Sequence, residues 1–308
     1  MMTTTVAVPA APAAAPAEHA RARRRWTQHG MLFIAPFLAV YLAFLVWPLL
    51  QGLRMSLSSV NIAGTNDRFV GLANYAEAFA DPRMWRSLWN TLVFTVLSTV
   101  PLVLLGLALA LLVHQLRFMQ WLWRLSFFGP FLLPSAVVSL LWLQMIYPPE
   151  YGLLNGSLGT DVLWLGDPST AMWSMVLTTV WWTVGFNFLL YLAALQSIPR
   201  HLYEAAAIDG ASSWHRLRSI TLPLLGRTTG VVVVLQLLAS LKVFDQIYLM
   251  TGGGPEDSTR PIIEYAYDTG FTGYRIGYAS AVSYILFAII VVVSLAQLRL
   301  FRKSEEPS

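Results

Sequence analysis

The sequence predicts an all-α membrane protein with six transmembrane helices. Three observations predict it. Of the 308 residues, 56% are hydrophobic and 12% are charged, whereas a soluble domain carries about 25% charge. Six stretches reach the roughly 20 mostly apolar residues that a helix needs to cross a bilayer. Most lysines and arginines between those stretches fall on one side of a six-span path, as cytoplasmic loops require.

The chain opens with an Ala/Pro-rich segment from Met1 to about Ala20 that cannot bury a core. It reads as disordered, and residues 1–29 form a tail ending in Arg21, Arg23, Arg24 and Arg25. The apolar run after it is too long for the core of a secretory signal and lacks a small-residue cleavage site, so a retained first span is expected. A membrane domain follows at 30–303, and 304–308 make a short tail.

The six expected spans are 31–53, 89–113, 126–147, 171–195, 226–250 and 276–298. Pro36, Pro48, Pro101, Pro130 and Pro134 lie in or near them and predict kinks in a bundle whose neighbours satisfy the freed carbonyls. The N-terminal arginines, Arg117, Arg124, Arg200, Arg216, Arg218, Arg299, Arg302 and Lys303 share one side. Loop 147–169 on the other side has Glu150, Asp161 and Asp167 and no Lys or Arg. Arg54, Arg68, Arg83 and Arg86 run against the rule, but their loop is long and also holds Asp67, Glu77 and Asp81. Both termini are expected in the cytoplasm of a multi-pass cell-membrane protein. Trp47, Trp89, Trp121, Trp123 and Trp173 suit interfacial anchoring or packing equally.

Several chemistries are excluded. The chain has no cysteine, hence no thiol nucleophile or thiolate metal site. Its five histidines are scattered, so neither a metal site nor a catalytic site is expected. The net charge of +4 reflects membrane topology and gives no reason to expect nucleic acid. No G-x-x-x-x-G-K-[ST] phosphate loop occurs; Gly252-Gly253-Gly254-Pro255 lacks the Lys-Ser/Thr and reads as a turn.

Segment 198–223 is too polar to span and too helical in character for a solvated linker. Pro199 suits the first turn of a helix. Leu202, Tyr203, Ala206 and Ala207 fall at helical spacing on one side. Gly210 breaks that helix, Ser212 or Ser213 can cap a second one, and Pro223 is expected to start the next span. Such a helix-turn-helix either lies in the lipid interface or docks into a partner.

Within this segment Glu204, Ala205, Ala206, Gly210, Ile220, Leu222 and Pro223 have the identities and spacing of the EAA signature, and the chain resembles the permeases of binding-protein-dependent ABC importers. The resemblance extends to Val70-Gly71-Leu72-x-Asn74-Tyr75, Asp81-Pro82, Asn90-Thr91, Tyr151-Gly152-Leu153-Leu154-Asn155 and Phe244-Asp245-x-Ile247-Tyr248-x-x-Thr251-Gly252-Gly253-Gly254-Pro255. It points to the carbohydrate-type, maltose-transporter-like branch, on the side of its first permease subunit, and covers about residues 30–303.

The resemblance implies the type I ABC importer permease fold, with a cytoplasmic coupling helix between the fourth and fifth spans. It implies a second permease subunit, two ATP-binding subunits holding ATP and magnesium, and an extracytoplasmic solute-binding protein. This chain would bind no cofactor and catalyse no reaction. Glu204, Ala205, Ala206, Asp209, Gly210, Ile220, Leu222 and Pro223 would form the ATPase contact, and the cargo would be a sugar or oligosaccharide, or a related polyol or glycerophosphodiester.

Polar groups inside spans are costly and often face a pathway. Lys242 and Asp245 stand three residues apart in the expected fifth span and make a candidate ion pair or, alternatively, a substrate contact. Thr179, Trp182, Thr183, Phe186 and Asn187 in the fourth span, with Gln236, Ser240 and Val243 in the fifth, offer aromatic faces and neutral hydrogen-bonding groups suited to sugars. Trp182 and Phe186 serve helix packing equally well. Counted from the EAA motif and the glycine run, these positions resemble the sugar pocket of the maltose-type permease, with Thr179, Ser240 and Val243 where that pocket is rich in asparagine. A gradient-driven carrier would have no use for segment 198–223, and an intramembrane enzyme would need a polar cluster that these spans lack.

Overall fold

The computed structural model of the protein describes residues 33–304 except 62, 65, 66 and 117, with side chains at all of these but 298 and 300–304. The expected tail 1–29 with its arginines, Arg117 and residues 305–308 lie outside the described residues. Among the described residues the structure is helical, apart from one isolated bridge between Ser58 and Phe69.

Five helices are long and apolar enough to cross a membrane: Phe33–Ser56, Pro82–Gln115, Pro168–Ser197, Ser213–Ser240 and Ile276–Gln297. A sixth crossing is the pair Gln120–Leu132 and Ser135–Ile146, if the two count as one span. The chain divides into two compact units, Met1–Arg54 and Met55–Ser308. The first holds most of helix Phe33–Ser56, and the second holds all the other elements.

Local chemistry explains where these helices start. Asp81 accepts the Arg83 N–H at 2.8 Å, and Asp167 accepts the Ser169 N–H at 2.8 Å. Each aspartate caps a helix whose first residue is a proline, a position where the missing N–H costs nothing. The second and fourth helices therefore start several residues before the apolar stretches expected at 89 and 171.

Two expected spans are corrected. The third is not one continuous helix over 126–147, because its halves meet at 97°. Leu133 is extended, as a residue before proline tends to be, and Pro134 caps the second half. The fifth does not run from 226 to 250: its helix begins at Ser213 and ends at Ser240, and a separate short helix spans Asp245–Met250. Pro223 accordingly lies inside a helix already under way. A π-helical turn at Leu217–Thr221 precedes it, and a second one at Leu42–Val46 stands in the same relation to Pro48. A wide turn just ahead of a proline accommodates the absent donor without ending the helix.

The helices Pro82–Gln115 and Pro168–Ser197 pack along their lengths. A Cβ on Gly106 would fall 2.9 Å from the Asn187 Cβ, and one on Gly185 would fall 2.1 Å from the Phe127 carbonyl oxygen. Gly106 sets the approach of these two helices and Gly185 that of the fourth helix to Gln120–Phe128, as small residues usually do between membrane helices. Thr91, Thr95, Thr178, Thr179 and Thr183 return their hydroxyls to carbonyls four residues earlier, which satisfies them without a neighbour. One apolar core, with Ala110, Val113, Phe188, Tyr191, Leu195 and Leu225, sits at the end where segment 198–223 lies. Another, with Phe94, Val138, Trp142, Met175, Val243 and Ile247, lies farther along the bundle.

Candidate functional site

Segment 198–223 forms the expected helix, turn and second helix. The first helix is Arg200–Ile208. It ends as a Schellman motif: the Ala211 N–H donates to the Ala206 carbonyl at 2.9 Å, and the Gly210 N–H donates to the Ala207 carbonyl at 3.1 Å. Gly210 takes φ +76°, where a side chain is strained. The Ser212 hydroxyl accepts the His215 N–H at 3.3 Å and caps the second helix. That helix is not a separate piece, since it is the start of the continuous helix Ser213–Ser240.

The first helix has two faces. Leu202, Tyr203 and Ala206 are half-buried, and the Tyr203 hydroxyl lies 2.9 Å from that of Thr221. Ala207, expected on the same side as these three, is exposed together with Glu204, Ala205, Ile208 and Asp209. Ile208 is 87% exposed and Trp214 67%. Glu204 makes no ion pair or hydrogen bond among the described residues. The segment thus presents Glu204, Asp209, Ile208 and Trp214 on an outer face that also carries the exposed Arg200, His201 and Arg218, with Tyr203 anchoring the first helix from behind.

The second feature is a cavity of about 300 Å³ near the far end of the same long helix. Thr179, Trp182, Thr183, Phe186, Gln236, Ser240 and Val243 line it, and so do Lys242 and Asp245. Asn187 does not reach the wall. It sits behind, donating to the Gln236 side-chain oxygen at 3.2 Å, while Gln236 donates to the Ser240 hydroxyl at 3.1 Å. Ser240 is also 2.9 Å from the Ser98 hydroxyl. This buried chain of amides and hydroxyls holds the polar wall in place.

The aromatic wall is held just as firmly. The Trp182 indole N–H donates to the Leu133 carbonyl at 3.1 Å, and Phe186 stacks on Phe131 at 5.3 Å. The expected Lys242–Asp245 ion pair is not formed. The helix ends at Ser240, so the two residues no longer share a helical face, and Asp245 instead accepts from the Ser135 hydroxyl at 3.5 Å. Both side chains are exposed.

Phe94, Phe131, Phe244 and Gln246 also line the cavity. Sequence reasoning missed them. Phe94 and Phe131 are ordinary apolar residues of spans, with no pattern to separate them from packing. Gln246 was legible as a polar residue beside Asp245, and it donates to the Thr179 hydroxyl at 3.3 Å.

Loops at the cavity end are tied to the helices by side-chain amides. Asn90 donates to the carbonyls of Asp257 at 2.7 Å and Arg260 at 3.1 Å. Asn74 donates to those of Ser56 and Ser58, and Asn155 spans its own turn from Pro149 to Val162. Asp81 accepts from both Tyr265 and Tyr278. Burial alone would raise its pKa, but the Tyr265, Arg83 N–H and Tyr278 hydrogen bonds together hold it below the usual value. Glu264 behaves in the opposite way. It is 1% exposed, its Oε2 has no hydrogen-bond partner among the described residues, and burial with the nearby Asp268 pushes its pKa up to about 7 despite Arg260.

Comparison with known proteins identifies the family. Residues 75–305 match the family described as binding-protein-dependent transport system inner membrane component. The trehalose/maltose transport system permease of Thermococcus litoralis is 36% identical, over 89% of this chain and 93% of its own. The sulfoquinovosyl glycerol transport system permease of Agrobacterium fabrum is 34% identical, over 91% and 94%. A chain in the crystal structure of a bacterial alginate ABC transporter, in complex with an alginate pentasaccharide-bound periplasmic protein, is 26% identical. It superposes with a TM-score of 0.79 over 93% of this chain and 97% of that one. The chain belongs to the family of binding-protein-dependent transport system inner membrane components.

Proposed function

We propose that this family member is one of two permease subunits that together form the pathway of an ABC importer for a sugar or oligosaccharide. A solute-binding protein delivers the cargo on the outer side. Two ATPase subunits, which hold ATP and magnesium, lie beneath the permease pair, and one of them docks on the exposed face of Arg200–Ile208. Both termini then lie in the cytoplasm.

The observation that carries this reading is the single helix Ser213–Ser240. Its first turns belong to the EAA segment, and its last turns carry Gln236, Ala239 and Ser240 on the cavity wall. A helix of that length is about 40 Å long. Movement of the docked helix Arg200–Ile208 reaches the cavity through this continuous helix, to which the Tyr203–Thr221 hydroxyl contact ties it. The exposed Glu204 supplies a charge for a basic ATPase residue, and the small Ala205 lets the partner approach.

The cavity supports a carbohydrate cargo. Trp182 and Phe186 offer ring faces, while Thr183, Gln236 and Ser240 offer neutral hydrogen-bonding groups. The relatives named for trehalose/maltose, sulfoquinovosyl glycerol and alginate support the same class, with glycosyl-glycerols and related polar solutes within its range.

Affinity purification on this chain, co-expressed with the second permease and the ATPase, tests the docking assignment. The intact chain retains both partners, and Glu204→Lys releases the ATPase while keeping the second permease. Full retention of the ATPase by Glu204→Lys would move the docking site elsewhere.

A further inference from the structure

Four aromatic rings lead away from the cavity, on the side remote from the EAA segment. Phe244 lines the cavity itself. Its ring stacks on Tyr248 at 5.2 Å and meets Tyr267 at 5.6 Å. Tyr248 and Tyr267 lie 5.5 Å apart, and Tyr267 continues to Phe271 at 5.1 Å. The rings come from three segments: the break after Ser240, the short helix Asp245–Met250, and helix Ile262–Tyr267 with the π-turn Asp268–Thr272. Tyr248 is 41% exposed, Tyr267 37% and Phe271 54%.

A packing cluster would bury these rings, and an interfacial belt would leave them as separate anchors at helix ends. Here Phe244, Tyr248 and Tyr267 touch one another pairwise, Phe271 extends the group from Tyr267, and Phe244 is shared with the cavity. Acidic groups flank them: Asp245 follows Phe244, and Asp268 follows Tyr267 and is 34% exposed, 3.5 Å from Arg260. Ring faces beside carboxylate acceptors are the combination that holds a pyranose, with its C–H face on the aromatic and its hydroxyls on the acid. The spacing between successive rings is comparable with the length of one sugar residue.

We infer that Phe244, Tyr248, Tyr267 and Phe271 form an aromatic approach path for pyranose rings, along which an oligosaccharide moves between the delivery face and the cavity. This rests on the carbohydrate reading of the cavity. The path holds successive sugar units weakly and interchangeably, so the cargo slides along it. It gives longer oligosaccharides a foothold outside the cavity that an acyclic polyol cannot use.

The test is saturation-transfer NMR on the detergent-solubilised complex, irradiating protein aromatic protons and observing maltotriose, with sorbitol as an acyclic probe. The intact complex is expected to transfer saturation to the maltotriose ring protons and little to sorbitol. Tyr248→Ala with Tyr267→Ala is expected to remove at least half of that transfer, and Phe271→Ala, at the exposed end, a smaller part. Tyr267→Phe keeps it. Trp182→Ala removes the cavity's share and leaves the path's share.

Unchanged transfer in the path variants together with loss in Trp182→Ala would overturn the path while keeping the cavity reading. No transfer in the intact complex would overturn both. If the path variants lose the second permease on purification, the rings are a subunit interface and the path is likewise overturned. Should the double variant fail to fold, Phe271→Ala decides alone.

Discussion

The indole of Trp182 donates its N–H to the carbonyl of Leu133 at 3.1 Å, and Leu133 is the residue at which the bent pair Gln120–Leu132 and Ser135–Ile146 turns by 97°. A carbonyl freed by the break before Pro134 is thereby satisfied by the fourth helix. The same bond fixes one ring face of the cavity, so the kink and the candidate binding surface are one construction.

Trp182 therefore has two separable roles. Trp182→Phe keeps a ring but loses the donor to Leu133, worth about 1 kcal/mol of stability, and should lower ATP-dependent uptake less than Trp182→Ala does. Trp182→Ala also loses the face and should lower uptake by more than about 10-fold, with the complex still assembled. Uptake in proteoliposomes measures both, and an unchanged rate in Trp182→Ala would remove this residue from the pathway.

Gly185 and Gly210 should respond to alanine in different ways. A Cβ at Gly185 would strike the Phe127 carbonyl at 2.1 Å and the Phe128 Cα at 2.7 Å, and backbone cannot step aside cheaply. Gly185→Ala should cost about 2–3 kcal/mol, seen as a lower melting temperature in detergent. A Cβ at Gly210 meets nothing within 4 Å, so Gly210→Ala carries only the strain of φ +76°, about 1 kcal/mol. Global melting should hardly change there, while binding of the ATPase weakens. Equal melting temperatures for the two variants would contradict the packing account.

Glu264 should make the loops at the cavity end sensitive to pH. Its pKa is raised to about 7 by burial and by Asp268, with Asp257 adding and Arg260 opposing. A carboxyl with a raised folded value stabilises the fold fully below its ordinary value and loses that contribution as pH rises through about 7. Protease resistance of the 251–275 region should thus fall between about pH 5 and about pH 8. Glu264→Gln, neutral throughout, should flatten that fall, and an identical pH profile in the variant would assign the effect to another group.

Much of this architecture was legible in the sequence. The apolar stretches located the spanning helices, because lipid thickness imposes a length that composition displays directly. Hydropathy placed the starts at 89 and 171 too deep, because the turns capped by Asp81 and Asp167 extend beyond the apolar core. The break after Ser240 was not legible. Leu241, Val243 and Phe244 continue the apolar run, although the helix tightens into a turn at Lys242 and Val243. For that reason Lys242 and Asp245 looked like a helical pair.

The site divides in the same way. Helical spacing grouped Thr179, Trp182, Thr183 and Phe186, and all four line the cavity from one helix. Asn187 at the next position went astray because buried amides seek each other, and Gln236 captured it. Phe94 and Phe131 came from other helices, which spacing along one segment cannot reveal. Gly210 and Ser212 were readable because a Schellman turn and an N-cap are local chemistry.

The most direct measurement is uptake of a radiolabelled oligosaccharide into proteoliposomes holding this chain, the second permease and the ATPase, with the loaded binding protein outside and ATP inside. The account predicts accumulation that needs both ATP and the binding protein and that is lost in Glu204→Lys. Accumulation driven by an ion gradient through this chain without ATPase subunits would contradict it.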